Sequence, residues 1–149
     1  MATQGLIGRD DALARLNAFR DDDGMSVVLV VGEAGVGKSR LLDAAAAPDD
    51  LRIWALEPLR QIPLGAVVSA VPSLAANDTG TATSIAAAVT ALRASTLLVD
   101  DLHLLDDLSR AVIDQARRTG TRVLATVRTT DGILPASVRA LAASRSTAV

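Results

Sequence analysis

Positions 32 to 39 read Gly32-Glu33-Ala34-Gly35-Val36-Gly37-Lys38-Ser39. Glycines at that spacing let successive backbone N–H groups turn into one concavity, while the ammonium and hydroxyl that follow add a compact charge and a hard oxygen. That set suits a polyphosphate: the loop cradles it, Lys38 reaches the β and γ groups, and Ser39 offers a ligand to Mg²⁺. Lys38 is the only lysine, and the other fourteen Lys/Arg positions are arginines. Lysine is kept where a planar guanidinium would be too bulky for the task.

The pattern G-x-x-x-x-G-K-[ST] is that of a P-loop, and contacts to nucleotide are expected from Gly32 through Ser39 and on to Arg40. The dinucleotide fingerprint G-x-G-x-x-G has a different glycine order and does not call for the Lys-Ser pair. A second set lies downstream, where Leu97-Leu98-Val99 delivers Asp100 and Asp101 at the end of an apolar run. Acids at the C-terminal tip of a parallel strand stand on the edge where such sheets bind ligands. Asp100 is the expected Mg²⁺ ligand, directly or through water, and Asp101 the group that orients or deprotonates an attacking water. Arg128, after Ala125-Thr126-Val127, is placed to reach the γ phosphate from a neighbouring strand tip, or else is an exposed strand-end arginine. His103, the single histidine, reads as structural support beside the acids, Asp21-Asp22-Asp23 as a solvated loop without calcium-loop spacing, and Trp54 as core.

These groups need elements to hold them. Leu13, Leu16 and Phe19 recur at helical spacing over 10–20, Val27–Val31 is a β-branched run entering the loop, and 39–47 is helical until Pro48. Strands are expected over 51–56, 96–101 and 123–127. Helical patterns run over 64–70, 84–94 and 107–118, 77–83 is a loop, and Pro135 opens a last short helix. Alternation of this kind predicts an α/β fold, a three-layer α/β/α sandwich with a mostly parallel sheet joined by right-handed crossovers.

Composition narrows the function. The chain has 149 residues, the size of one domain, read as a segment and helix over 1–24, a nucleotide-binding core over 25–143 and a tail over 144–149. Its net charge of -2 offers no basic field for nucleic acid, and without cysteine there is neither a disulfide nor a thiolate metal site. No leader pattern or membrane-length apolar run is seen, so a cytoplasmic protein with no membrane partner is expected.

At this point the chain resembles a known group, the AAA-like ATPase domain of the STAND class, in particular the N-terminal ATPase of large LuxR-type bacterial transcriptional regulators. The resemblance rests on Leu6-Ile7-Gly8-Arg9-Asp10, the P-loop, Ile62-Pro63-Leu64-Gly65-Ala66, Asp100-Asp101-Leu102-His103-Leu104-Leu105-Asp106 and Leu124 to Thr129. It implies that Ile7, Gly8 and Arg9 lie beside the adenine, that Arg128 is the arginine following the fourth strand, and that ATP and Mg²⁺ are the cofactors. Relatives of this kind continue into a fifth strand, a lid and a separate DNA-binding domain, so the resemblance implies a core incomplete at its C-terminus that does not itself bind DNA. The expected role is an ATP-dependent signalling switch, reset by hydrolysis where that is retained, that binds ATP or ADP and self-associates or meets a protein partner. The alternatives are a nucleotide-dependent interaction module with negligible turnover and a P-loop small-molecule kinase.

Overall fold

Successive residues of an extended strand point to opposite sides, so an apolar run such as Val27–Val30 must be covered twice. The computed structural model describes residues 10–22, 24, 26–76, 81–93, 96–142 and 146–148. Among these, β1 (Val27–Gly32), β2 (Leu51–Trp54), β3 (Leu97–Asp100), β4 (Val123–Arg128) and β5 (Ser146–Ala148) form one sheet in the order β2-β3-β4-β1-β5. Every pairing is parallel. The helices are α1 (Asp10–Asp21), α2 (Lys38–Ala45), α3 (Gly65–Ala70), α4 (Thr81–Leu92), α5 (Asp107–Arg118) and α6 (Ala136–Ala142). Among the described residues no helix is long and apolar enough to cross a membrane.

One face of the sheet packs Val28, Val30, Leu98 and Leu124 against Leu16 and Phe19 of α1 and Leu41, Leu42 and Ala45 of α2. The other packs Val27, Leu29, Ile53, Leu97, Val99, Val123, Ala125 and Val127 against Val67 of α3, Leu92 of α4, Val112, Ile113 and Ala116 of α5, and Val138 of α6. The expected three layers follow. Burial of a Leu or Phe here carries about 1.5–3 kcal/mol of transfer free energy, and removing one leaves a cavity as well.

Arginines fasten α1 to this frame. Arg20 reaches Asp50 with both terminal nitrogens, at 3.0 and 2.5 Å, and also donates to Ala45 O at 2.6 Å. Arg122 donates to Phe19 O and Arg20 O and lies over the Phe19 ring, satisfying carbonyls that the end of α1 leaves open. At the start of α5, Asp106 caps Ser109 N at 2.9 Å and accepts from Leu64 N at 2.8 Å, tying the turn before α3 to the helix after the acid pair.

Two features differ from the sequence expectations. Ser146–Ala148, read as part of a tail, pairs with Val27–Leu29 as β5, so β1 is an interior strand. Trp54, read as core, is 51% exposed. Its strand is only four residues long and lies at the sheet edge, so the face carrying Arg52 and Trp54 is left partly open and the indole is covered by a guanidinium rather than a helix. Of the expected loop over 77–83, residues 77–80 lie outside the described residues, while Thr81 onward begins α4.

Candidate functional site

The Gly-rich loop links the end of β1 to α2, and two of its glycines adopt conformations that side chains resist. Gly35 has φ 78° and Gly37 φ 87°, both left-handed. Gly32 is needed for space instead, because a Cβ there would lie 3.0 Å from Val36 Cγ2. α2 begins at Lys38 directly after this turn, so the N–H groups of its first turn and the positive end of its dipole meet the loop. Lys38 is 7% exposed, and its Nζ donates to Glu33 O at 2.6 Å, folding the ammonium back over the loop.

The strand order sets the rest of the geometry. β4 lies between β1 and β3, so the acid pair and the P-loop are separated by one strand whose polar residues stand between them. Leu98 and Asp100 share the α1/α2 face of the sheet with Leu124 and, two residues on, Thr126. Thr126, fully buried, donates to Asp100 Oδ1 at 2.6 Å and accepts from Asp101 N at 2.8 Å. From the helix side, Ser39 Oγ donates to the same Asp100 Oδ1 at 2.9 Å. The two residues expected to hold Mg²⁺, 61 positions apart, are thus in direct contact. A hydroxyl and a carboxylate converging beside a phosphate loop are the hard oxygen donors that this ion takes, so the residues fit it.

Asp100 has a further partner. Arg52 Nη2 reaches Asp100 Oδ2 at 3.1 Å while Nη1 binds Asp43 on α2, and the guanidinium carbon lies 4.3 Å from the centroid of the Trp54 ring. Asp101 follows with φ 54° and ψ 52°, a left-handed conformation that costs a non-glycine residue about 1 kcal/mol or more. The conformation turns the chain out of β3 into the 3-10 turn Leu102–Leu104, closed by Leu104 N to Asp101 O at 2.8 Å.

Arg128 ends β4 directly opposite Gly32, and its side chain is exposed. His103 Nδ1 accepts from Arg128 N at 3.4 Å, the supporting position expected of it. Its pKa is pushed below the ordinary histidine value, first by burial and then by the charges of Arg128, Lys38 and Arg60, against the opposing pull of Asp101. The imidazole therefore registers the cations gathered at this edge. Glu33, Ala34, Val36 and Arg40 lie in the loop or the first turn of α2 as expected, whereas Ile7, Gly8 and Arg9 lie outside the described residues.

Sequence reasoning missed two members of this cluster, Thr126 and Arg52. Each left a trace in the strand period: Thr126 is two residues before Arg128 in an otherwise apolar strand, and Arg52 is two residues before Trp54.

Comparison with curated proteins returns no significant match. The family profile described as the AAA ATPase domain matches residues 5–143, from before α1 to the end of α6. With the strand, P-loop and acid-pair geometry in place, the chain belongs to the AAA ATPase domain family.

Proposed function

We propose that the chain binds ATP with Mg²⁺ and uses the γ phosphate to switch a larger assembly, as the ATPase domain of a LuxR-type transcriptional regulator would. The observation that carries this reading is the 2.9 Å contact between Ser39 and Asp100 beneath the glycine loop. Lys38 exchanges contacts within its own loop for β and γ phosphate oxygens, and the first turn of α2 donates N–H groups to the same phosphates. Mg²⁺, held by Ser39 and Asp100, supplies neutralisation of phosphate charge and orientation of the oxygens.

Thr126 fixes the carboxylate of Asp100 and the backbone of Asp101, leaving the Asp101 carboxylate to orient a water for attack on the γ phosphorus and accept its proton as the bond to the β–γ bridging oxygen breaks. Arg128 stabilises the charge that collects on the transferring oxygens. The switch is the ordering of loops around Lys38, Asp100 and Arg128, which favours one association state with itself or a protein partner. The motifs from Leu6 to Asp10 and from Asp100 to Asp106 support the LuxR-type setting through the resemblance described above.

The test is a titration with a fluorescent ATP analogue beside a steady-state phosphate-release assay. Wild type is expected to bind and turn over. Lys38→Ala should lose about a hundredfold in affinity, roughly 2.7 kcal/mol, and Asp101→Asn should bind normally with turnover abolished. Unchanged affinity in Lys38→Ala would overturn the reading.

A further inference from the structure

Arg52 stands where a cation is needed but a guanidinium is not. Of the two oxygens of Asp100, Oδ1 takes the hydroxyls of Ser39 and Thr126, while Oδ2 takes Arg52. The pair is enclosed, with side-chain exposures of 19% for Arg52 and 6% for Asp100, so the attraction is only partly screened. The other arm of the guanidinium is held by Asp43, whose carboxylate is 60% exposed on α2. Its flat face rests on Trp54, the only tryptophan. Arg52 thus bridges a carboxylate of the site and one outside it while stacked on an aromatic ring.

We propose that Arg52 is a gate on the magnesium carboxylate: it neutralises Asp100 in the resting site and, when nucleotide is bound with Mg²⁺, gives up Asp100 while keeping its contacts to Asp43 and Trp54. This rests on the ATP-Mg²⁺ reading of the site. Two consequences have opposite signs. Removing the guanidinium strips a competing positive charge from the vicinity of a divalent ion. Even at the full screening of bulk water, a unit charge within several ångströms of a divalent ion corresponds to about tenfold in affinity, so tenfold is the least effect expected. Removing Asp43 takes away the anchor that holds the guanidinium once it leaves Asp100 and a negative charge near the ion, leaving Arg52 to Asp100 alone.

Substrate control of the gate follows as well. A nucleotide without metal leaves Arg52 on Asp100, whereas the metal complex moves it, so the edge strand β2 and the exposed Trp54 sense the metal-loaded nucleotide rather than nucleotide alone. Arg52 acts through Asp100 and is a positioning residue.

The experiment is a Mg²⁺ titration with ADP, which avoids turnover, read by the anisotropy of a bound fluorescent ADP analogue and by Trp54 emission. Arg52→Gln is expected to lower the Mg²⁺ midpoint about tenfold or more and to abolish the metal-dependent change in Trp54 emission. Asp43→Asn, on an exposed position that does not threaten the fold, is expected to raise the midpoint about threefold. A loss of fold integrity would move both variants in the same direction, and a bare charge effect would shift the midpoints without a metal-dependent change in the wild-type Trp54 emission, so that change, lost in Arg52→Gln, identifies the gate. Equal midpoints for wild type, Arg52→Gln and Asp43→Asn, with ADP still bound, overturn the gate and leave the nucleotide site standing. Failure of wild type to bind ADP at any Mg²⁺ concentration overturns both.

Discussion

Two Arg–Asp pairs, Arg20–Asp50 and Arg52–Asp100, join elements of the same face of the molecule with the same chemistry and different surroundings. Asp50 is saturated: it receives both terminal nitrogens of Arg20 and the N–H of Ala47 at 2.7 Å, and Arg20 spends its remaining reach on Ala45 O. Asp100 instead divides its oxygens between hydroxyls and an arginine that is itself shared with Asp43. A closed pair fastens α1 to the end of α2 and can be opened only at the expense of folding. A shared pair can hand its partner to a neighbour, which is the property a metal site needs.

The sharpest way to break this contrast is to remove one acid at a time. Asp50→Ala leaves Arg20 without its bidentate partner, and stability to urea denaturation is expected to fall by about 3 kcal/mol with nucleotide affinity unchanged. Asp100→Asn is expected to reduce Mg²⁺-dependent nucleotide affinity by about 2 kcal/mol, measured by competition with a fluorescent analogue, while stability falls by only about 1 kcal/mol because Arg52 keeps Asp43. Similar losses of stability in both variants would mean that the pairs do not differ in kind. Thr126→Val, which keeps the shape but removes the hydroxyl shared by Asp100 and Asp101, should cost about 1–2 kcal/mol of stability and slow turnover more than it weakens binding, separable by comparing kcat with KM.

Smaller effects appear in the pH dependence. Burial raises the Asp50 pKa, but Arg20 and the Ala47 N–H more than offset it and hold the carboxyl below its ordinary value. Its contribution is therefore present above the unfolded carboxylate pKa near 4 and is lost as pH falls through the lower folded value. Asp114, held down by Arg117 and Arg118 against its own burial, acts in the same direction. His103 has the opposite charge type: its folded pKa is depressed, so the unfolded chain binds the proton more readily. Stability is then full above about pH 6.5 and declines as pH falls through that value toward the folded pKa. Thermal melts at pH 7 and pH 5.5 should show this loss in wild type and not in His103→Asn.

Much of the fold was legible because its signals are local. The β-branched run Val27–Val31, the glycine spacing and the apolar run ending in Asp100 each declare an element and its chemistry within a few residues, and α5 was readable to both ends, from Asp107 to Arg118 ahead of Gly120. What escaped depends on neighbours distant in sequence. Whether Trp54 is core follows from whether another strand lies beyond β2, and nothing in Leu51–Trp54 states that. Ser146–Ala148 has too little apolar pattern to announce a strand, and β5 is defined by its pairing with β1. Thr126 and Arg52 join the site because β4 runs between β1 and β3 and because β2 borders β3, facts of strand order that no single segment carries.

The chain's single lysine has a practical consequence for anyone handling the protein. An endoproteinase that cuts only after lysine has one cleavage point, the Lys38–Ser39 bond, and yields two pieces, 1–38 and 39–149. That bond lies at the first residues of α2 with the lysine side chain 7% exposed, so cutting requires the loop and helix start to open. The rate at which the two bands appear on a gel is thus a direct clock for the opening of the phosphate loop, and the degree to which added nucleotide stops that clock reads occupancy without any label.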